Sequence, residues 1–319
     1  MTLPNLRAAW MLVAAFFFAL MGLLVKLEGQ AYSSTELVFY RSLTGLVLIV
    51  AIAAPRLDAL ATPHWRLHVQ RSLAGVLSLW LYFFALTRLP LATAVTLNYT
   101  SPLFLALFAV LWLGERASPR LLFALLLGFA GVILLLKPHM ARDQLGVGLA
   151  GLASGVFAGL AYVNVRAMGA VKEPEWRIVL YFTLLSTLAS GLAMLLSLLP
   201  VAVWHVFDGV AAAEGAVTTG AVAAPAWVPS APHALHWSSL PLLLGIGVCA
   251  LIGQLCLTRA YRTGALWLAS NFAYSAIVFG SLFGLVFQGE WLAPSAWVGM
   301  AVIIGAGVLA TFSREPAPA

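Results

Sequence analysis

The chain has 319 residues, 62% of them hydrophobic and only 9% charged, with a net charge of +6 and a mean hydropathy of +0.99. Soluble domains carry about 25% charged residues, so the composition excludes a soluble globule and points to a helical protein that crosses a bilayer many times. The basic residues stand singly or in twos and threes at the ends of apolar blocks, without the basic run or aromatic interleaving of a nucleic-acid surface, and no nucleic-acid partner is expected.

Apolar blocks long enough to cross a hydrocarbon core of roughly 30 Å predict ten spans: 8–26, 36–54, 70–88, 91–113, 119–136, 145–166, 177–199, 239–259, 264–288 and 292–312. Lys26 and Leu27, not a small-x-small cleavage site, follow the first block, which reads as a retained span rather than a signal peptide. In the second, Arg41 is the one charge clearly inside a span. Glu36, five residues earlier, is near enough for partial pairing. The two read either as a snorkelling ion pair or as part of an outward gate. His64 and His68 have the spacing of one helix face but no evident third ligand, and no metal or other cofactor is expected.

The fourth span carries Thr96, Tyr99 and Thr100 at i, i+3 and i+4, on one helix face. Pro102 removes a backbone donor and should free the carbonyl of Asn98, which is tolerated at membrane depth when buried in protein or lining a wet cavity. In the sixth span Gly151, Gly155 and Gly159 form a double G-x-x-x-G, and Gly280 and Gly284 form a single one in the ninth; both allow close helix approach. Residues 200–238 have few large apolar side chains and read as an external loop. Cys249 and Cys256 share the eighth span with Cα atoms about 10 Å apart, too far for a disulfide, and read as packing residues.

The ninth span repeats the fourth. Sliding the chain by 175 positions lays Ala85 on Ala260, Tyr99 on Tyr274, Phe104 on Phe279, Gly114-Glu115 on Gly289-Glu290 and Pro119 on Pro294. The polar stripe recurs as Asn271, Tyr274 and Ser275. The copies are five spans apart, an odd offset, so they run in opposite directions. Inverted repeats of this kind build transporters whose site lies near the midplane. Polar side chains in spanning helices usually face protein or water. The two stripes are therefore either interhelical hydrogen bonds or walls of a shared solute site. With the N-terminus inside, twelve basic residues fall on inner segments and four on outer ones, a positive-inside bias. Glu115 and Glu290 end their helices on opposite sides and read as structural loop residues.

The run Ala85-Leu86-x3-Pro90-Leu91-Ala92, Thr100-Ser101-Pro102-Leu103 and Leu113-Gly114-Glu115 resembles the EamA-type branch of the drug/metabolite transporter superfamily. Ala260-Tyr261-x3-Ala265 through Gly289-Glu290 resembles that family's second domain, and Phe39-Tyr40-Arg41 its second span. The resemblance covers 8–137 and 146–312 and leaves only 200–238 outside. It implies an all-α polytopic membrane protein built as two inverted five-helix repeats, and a secondary transporter of a small organic metabolite, with export as the lead direction. It also implies that spans 1, 3, 4, 6, 8 and 9 surround a cavity. Trp80, Tyr82, Tyr162, Asn164 and Gln254 lie on those spans and would join the stripes. A bacterial inner membrane with both termini cytoplasmic is implied likewise. The expected partners are a small-molecule solute and the lipid bilayer, with a homodimer left open.

Two rivals fit less well. A membrane enzyme acting on a lipid-linked substrate would want an interfacial cluster of acidic, His or basic residues, and a channel or scaffolding subunit has less use for an inverted repeat. The absence of a P-loop sequence argues against ATP hydrolysis of that kind. No expected span holds an acid or a histidine in its interior, so any proton coupling is expected at a span end.

Overall fold

In hydrocarbon a backbone must satisfy its own polar groups, and a helix does so within one segment. The computed structural model describes residues 7–55, 60–113, 119–136, 145–198, 233, 235–263 and 266–312. Among them are twelve α-helices and no strand. In chain order these are α1 (Trp10–Glu28), α2 (Ser34–Ala53), α3 (Trp65–Leu86), α4 (Leu91–Asn98), α5 (Ser101–Leu113) and α6 (Pro119–Leu136). The rest are α7 (Leu145–Ala170), α8 (Glu175–Leu196), α9 (Leu240–Thr263), α10 (Leu266–Ala273), α11 (Ser275–Gln288) and α12 (Pro294–Phe312). Eight stretches are long and apolar enough to cross a membrane, two of them, Leu91–Phe108 and Leu268–Gln288, running across a helix junction. Leu126, Leu188, Leu195, Val286 and Phe287 are all more than half exposed. Helix faces this apolar belong against lipid. The chain is an integral membrane protein whose regular structure, among the described residues, is helical throughout.

The helices pair selectively. α3 packs along α7 and α1 along α9; α5 lies against α7 and α11 against α1; α2 pairs with α8 and α6 with α12. Most of the buried apolar residues of α1, α3, α4, α7, α9 and α11 form one continuous core.

The fourth and ninth spans, expected as single helices over 91–113 and 264–288, are each broken. The first break falls at Tyr99–Thr100, where the Thr100 N–H turns to the Leu97 carbonyl, three residues back, at 3.3 Å. Pro102, which has no N–H to give the Asn98 carbonyl, then sits in the first turn of α5, where that donor is not missed. The second break falls at Tyr274, 175 positions on, without a proline. There the N–H groups of Tyr274 and Ile277 reach three residues back, at 3.2 and 3.0 Å. The Ser275 hydroxyl donates to the Phe272 carbonyl at 2.7 Å, the back-bonding by which serine bends a helix.

The α7 glycines seat the first break. A Cβ on Gly155 would meet the Leu97 carbonyl oxygen at 2.8 Å, and one on Gly159 the Ser101 carbonyl oxygen at 3.1 Å. This is the close approach that the G-x-x-x-G spacing anticipates.

Candidate functional site

Between α1, α2, α3, α4, α7, α8 and α9 lies a cavity of about 60 Å³. Five positions of α3 reach it: Leu79 and the series Arg71, Gly75, Ser78 and Tyr82. The steps of four, three and four residues in that series make one helix face. Arg41 comes from α2, Phe182 from α8, Gln254 from α9, Tyr162 from α7, and Asn98 and Tyr99 from the break after α4.

Two arginines dominate it. Arg41 and Arg71 are each only 2% exposed. The Arg71 guanidinium carbon stands 3.8 Å from the centroid of the Phe182 ring, and that of Arg41 stands 5.4 Å from the same centroid. Arg71 Nη2 donates to Gln254 Oε1 at 2.9 Å, while its Nε and Nη1, and Nε of Arg41, are buried without a hydrogen-bond partner. Gly75 makes the stacking on Phe182 feasible, because a Cβ there would come within 2.8 Å of both Arg71 Nη1 and the Phe182 ring.

Below the arginines a polar chain joins three helices. Asn98 Nδ2 donates to Ser154 Oγ at 3.0 Å, Ser78 Oγ donates to the Ser154 carbonyl at 2.8 Å, and Ser154 Oγ donates to the Gly151 carbonyl at 2.5 Å. Tyr162 stacks on Tyr261 with ring centroids 4.9 Å apart, and the Tyr82 hydroxyl is buried without a partner.

Of the residues singled out in the sequence, the structure brings Arg41, Tyr82, Asn98, Tyr99, Tyr162 and Gln254 to the cavity wall. The two polar stripes do not converge there as sets. Thr96 Oγ1 donates to the Ala92 carbonyl and Thr100 Oγ1 to the Leu97 carbonyl, both at 2.6 Å, so these hydroxyls serve their own helix, as Ser275 does. Tyr274 is buried with an unpartnered hydroxyl but is not part of the wall, nor are Asn271, Trp80 and Asn164, whose Nδ2 donates to the Leu160 carbonyl at 3.0 Å.

Arg71 and Phe182 were missed. Arg71 reads in the sequence as one more inner-side charge, yet it lies six residues into α3 and is buried. Its spacing to Gly75, Ser78 and Tyr82 is the signal that exposes it. Nothing local marks Phe182.

Both ends of the bundle are tied by carboxylates. Glu36 does not pair with Arg41. Its carboxylate accepts the Ser33 N–H at 2.8 Å in a capping box and the His233 N–H at 2.6 Å, and Oε2 lies 2.9 Å from His233 Nδ1. The S-x-x-E run Ser33–Glu36 announces that box in the sequence.

Beside it, Glu290 Oε1 meets Lys26 Nζ at 2.6 Å, and Oε2 accepts the Leu91 N–H, the first of α4, also at 2.6 Å. Gly289 makes this possible. It ends α11 in the left-handed region at φ 63°, which glycine adopts freely, and turns Glu290 back across the bundle. Glu115, its copy in the repeat, lies outside the described residues.

At the other end Glu173 accepts from Arg177 Nη1 at 2.8 Å and from the Thr62 hydroxyl, and Arg262 Nη1 donates to its carbonyl at 2.8 Å. His68, within the first turn of α3 rather than outside the span, is buried with Nε2 3.5 Å from Glu173 Oε2. Burial would raise the Glu173 carboxyl, but the Thr62 hydroxyl and Arg177 guanidinium hold it below its ordinary value.

The EamA-like transporter family model matches residues 6–137. The chain is 31% identical over 278 residues to the pseudopaline exporter CntI of Pseudomonas aeruginosa, covering 87% of this chain and 86% of that one. It is 27% identical over 306 residues to a riboflavin transporter of Rhizobium johnstonii, covering 94% and 89%. A solved crystal structure at 22% identity covers 98% of both chains with a TM-score of 0.65, a likeness of fold alone.

Proposed function

The chain belongs to the EamA-like transporter family and is a small-molecule transporter, and from that premise we propose that it moves a small organic metabolite by alternating access through the Arg71 cavity. The observation that carries this reading is a charged and aromatic cavity lined by helices of both halves of the chain. Its expected contacts are Tyr82, Asn98, Tyr99, Tyr162 and Gln254, with Arg41 and Arg71.

The architecture we propose is ten spans in two inverted repeats, 8–137 and 146–312, with 200–238 as an external insertion. The helix pairings support it. Exchanging the first span for the sixth, the third for the eighth and the fourth for the ninth turns α3 on α7 into α9 on α1, and α5 on α7 into α11 on α1. The pairs α2 with α8 and α6 with α12 map onto themselves. Breaks 175 positions apart, at Tyr99 and Tyr274, obey the same relation. The basic-residue bias supports cytoplasmic termini, and a bacterial inner membrane and export are favoured by relatives such as the Pseudomonas exporter.

Counterflow in proteoliposomes tests the function. Saturable exchange of a labelled solute against an unlabelled one identifies a carrier. Flux that rises linearly without exchange identifies a channel and ends this reading.

A further inference from the structure

Resting on the transporter reading, we propose that the solute carries a carboxylate, and that Arg41 and Arg71 together are its binding site. Two guanidinium groups share one small cavity and approach the same Phe182 ring. Among the described residues no ion pair joins Arg41 or Arg71 to a carboxylate, Glu28 included. Glu36 is held by Ser33 and His233, Glu173 by Thr62 and Arg177, Glu175 by Arg262 and Glu290 by Lys26 and Leu91. Gln254 gives Arg71 a neutral acceptor only.

A buried charge left unpaired costs stability, and a like charge beside it adds to the cost. Stacking on Phe182 offsets part of that. An arginine kept so in a transporter's cavity holds donors in place for an anion that arrives. The planar fork of a guanidinium matches a carboxylate in bidentate fashion, and such charge-assisted bonds are the strong ones. The rest of the wall selects what the carboxylate is attached to. Phe18, Met21, Leu79, Tyr99 and Tyr162 offer apolar and flat surface, while Asn98 and the Tyr82 hydroxyl offer sparse polar contacts. The occupant read from this wall is an organic acid or zwitterion with an apolar or aromatic body.

The test uses the purified full-length protein and three probes: phenylacetate, its uncharged analogue phenylacetamide, and inorganic phosphate. Phenylacetate should raise the melting temperature saturably, and the other two should not. Arg71→Gln and Arg41→Gln should each weaken phenylacetate binding roughly tenfold or more. A shift from phenylacetamide equal to that from phenylacetate overturns the proposal, and an equal shift from phosphate shows a general anion site and overturns the carboxylate assignment.

A second measurement separates binding from folding. Arg71→Met and Arg41→Met, without any probe, should melt at or above the temperature of the parent protein, because each removes an unpaired buried charge. A clear loss of stability in both would make the arginines structural and sink the proposal. In proteoliposomes, counterflow that persists for uncharged solutes and is indifferent to Arg71→Gln removes the carboxylate site and leaves the carrier standing. A linear flux without exchange for every solute removes the carrier itself.

Discussion

The carboxylate of Glu290 accepts the backbone N–H of Leu91 across 199 positions of sequence, at 2.6 Å. The loop that ends α11 thus caps the start of α4, and Lys26 completes the contact from α1. The closure is therefore a helix cap as well as an ion pair.

Glu290→Ala should accordingly loosen this end of the bundle. Loss of a helix cap costs about 1 kcal/mol, and stranding Lys26 adds to it. With Cys249 and Cys256 replaced by Ala, a cysteine at Met21 in the cavity should be alkylated faster by an impermeant reagent added outside when Glu290 is Ala. Equal labelling rates would mean that this contact does not gate access.

The α7 glycines give a matched pair. Gly155→Ala places a methyl within 2.8 Å of the Leu97 carbonyl, whereas a Cβ on Gly146 of the same helix meets nothing within 4 Å. Overpacking costs typically 1–3 kcal/mol, so Gly155→Ala should unfold at clearly lower denaturant, while Gly146→Ala should be neutral or up to about 1 kcal/mol more stable. Thermal or denaturant unfolding in detergent reads both, and similar midpoints would remove the argument that glycine seats the broken span.

Glu173 sets a pH dependence. Its carboxyl is held below the ordinary value in the folded protein, so its stabilising contribution is complete above the unfolded carboxylate pKa and is lost as pH falls through the folded one. The parent protein should be more stable than Glu173→Gln near neutrality, and the gap should close in acid. A gap that is constant with pH, or widens on acidification, contradicts the assignment.

Energy coupling follows from where the acids lie. Among the described residues Glu28, Glu36, Glu175 and Glu290 stand at helix ends, Glu173 lies in the link between α7 and α8, and none enters the cavity wall, which instead holds two arginines. Facilitated or exchange transport is the expected mode. An imposed pH gradient at zero membrane potential should not drive steep accumulation in proteoliposomes. Accumulation abolished by changing a mid-span residue, but not Glu36, Glu173 or Glu290, would place a coupling group in the span interior.

Much of the fold was legible because a membrane imposes its own length on apolar segments, and because the second half repeats Tyr99, Gly114-Glu115 and Pro119 at a fixed offset. The site was legible only in part. Helical spacing placed Thr96 and Thr100 beside Tyr99, but the chain breaks there, and their hydroxyls satisfy carbonyls that the break and the helix itself leave nearby. Tyr274 occupies the copied position without the copied environment, since Pro102 has no counterpart at Ile277. Arg71 looked like a charge at a span end because periodicity says which residues share a face, not which neighbour they meet. Its neighbours, Phe182 and Gln254, arrive from more than a hundred residues downstream. Tertiary contacts of that range leave no local trace.

Capping by Glu290 has a further consequence for the way out. A helix begins with partial positive charge on its free N–H groups. Any motion that parts Glu290 from Leu91 bares the start of α4 beside the ammonium of Lys26, and so turns a shut door into an electropositive doorway. On the proposed route Glu290 would compete for that doorway with an anionic solute leaving the cavity. If the solute is the acid proposed above, sealing and discharge would be one act of ligand exchange, in which the departing acid holds the place of the carboxylate that closes behind it.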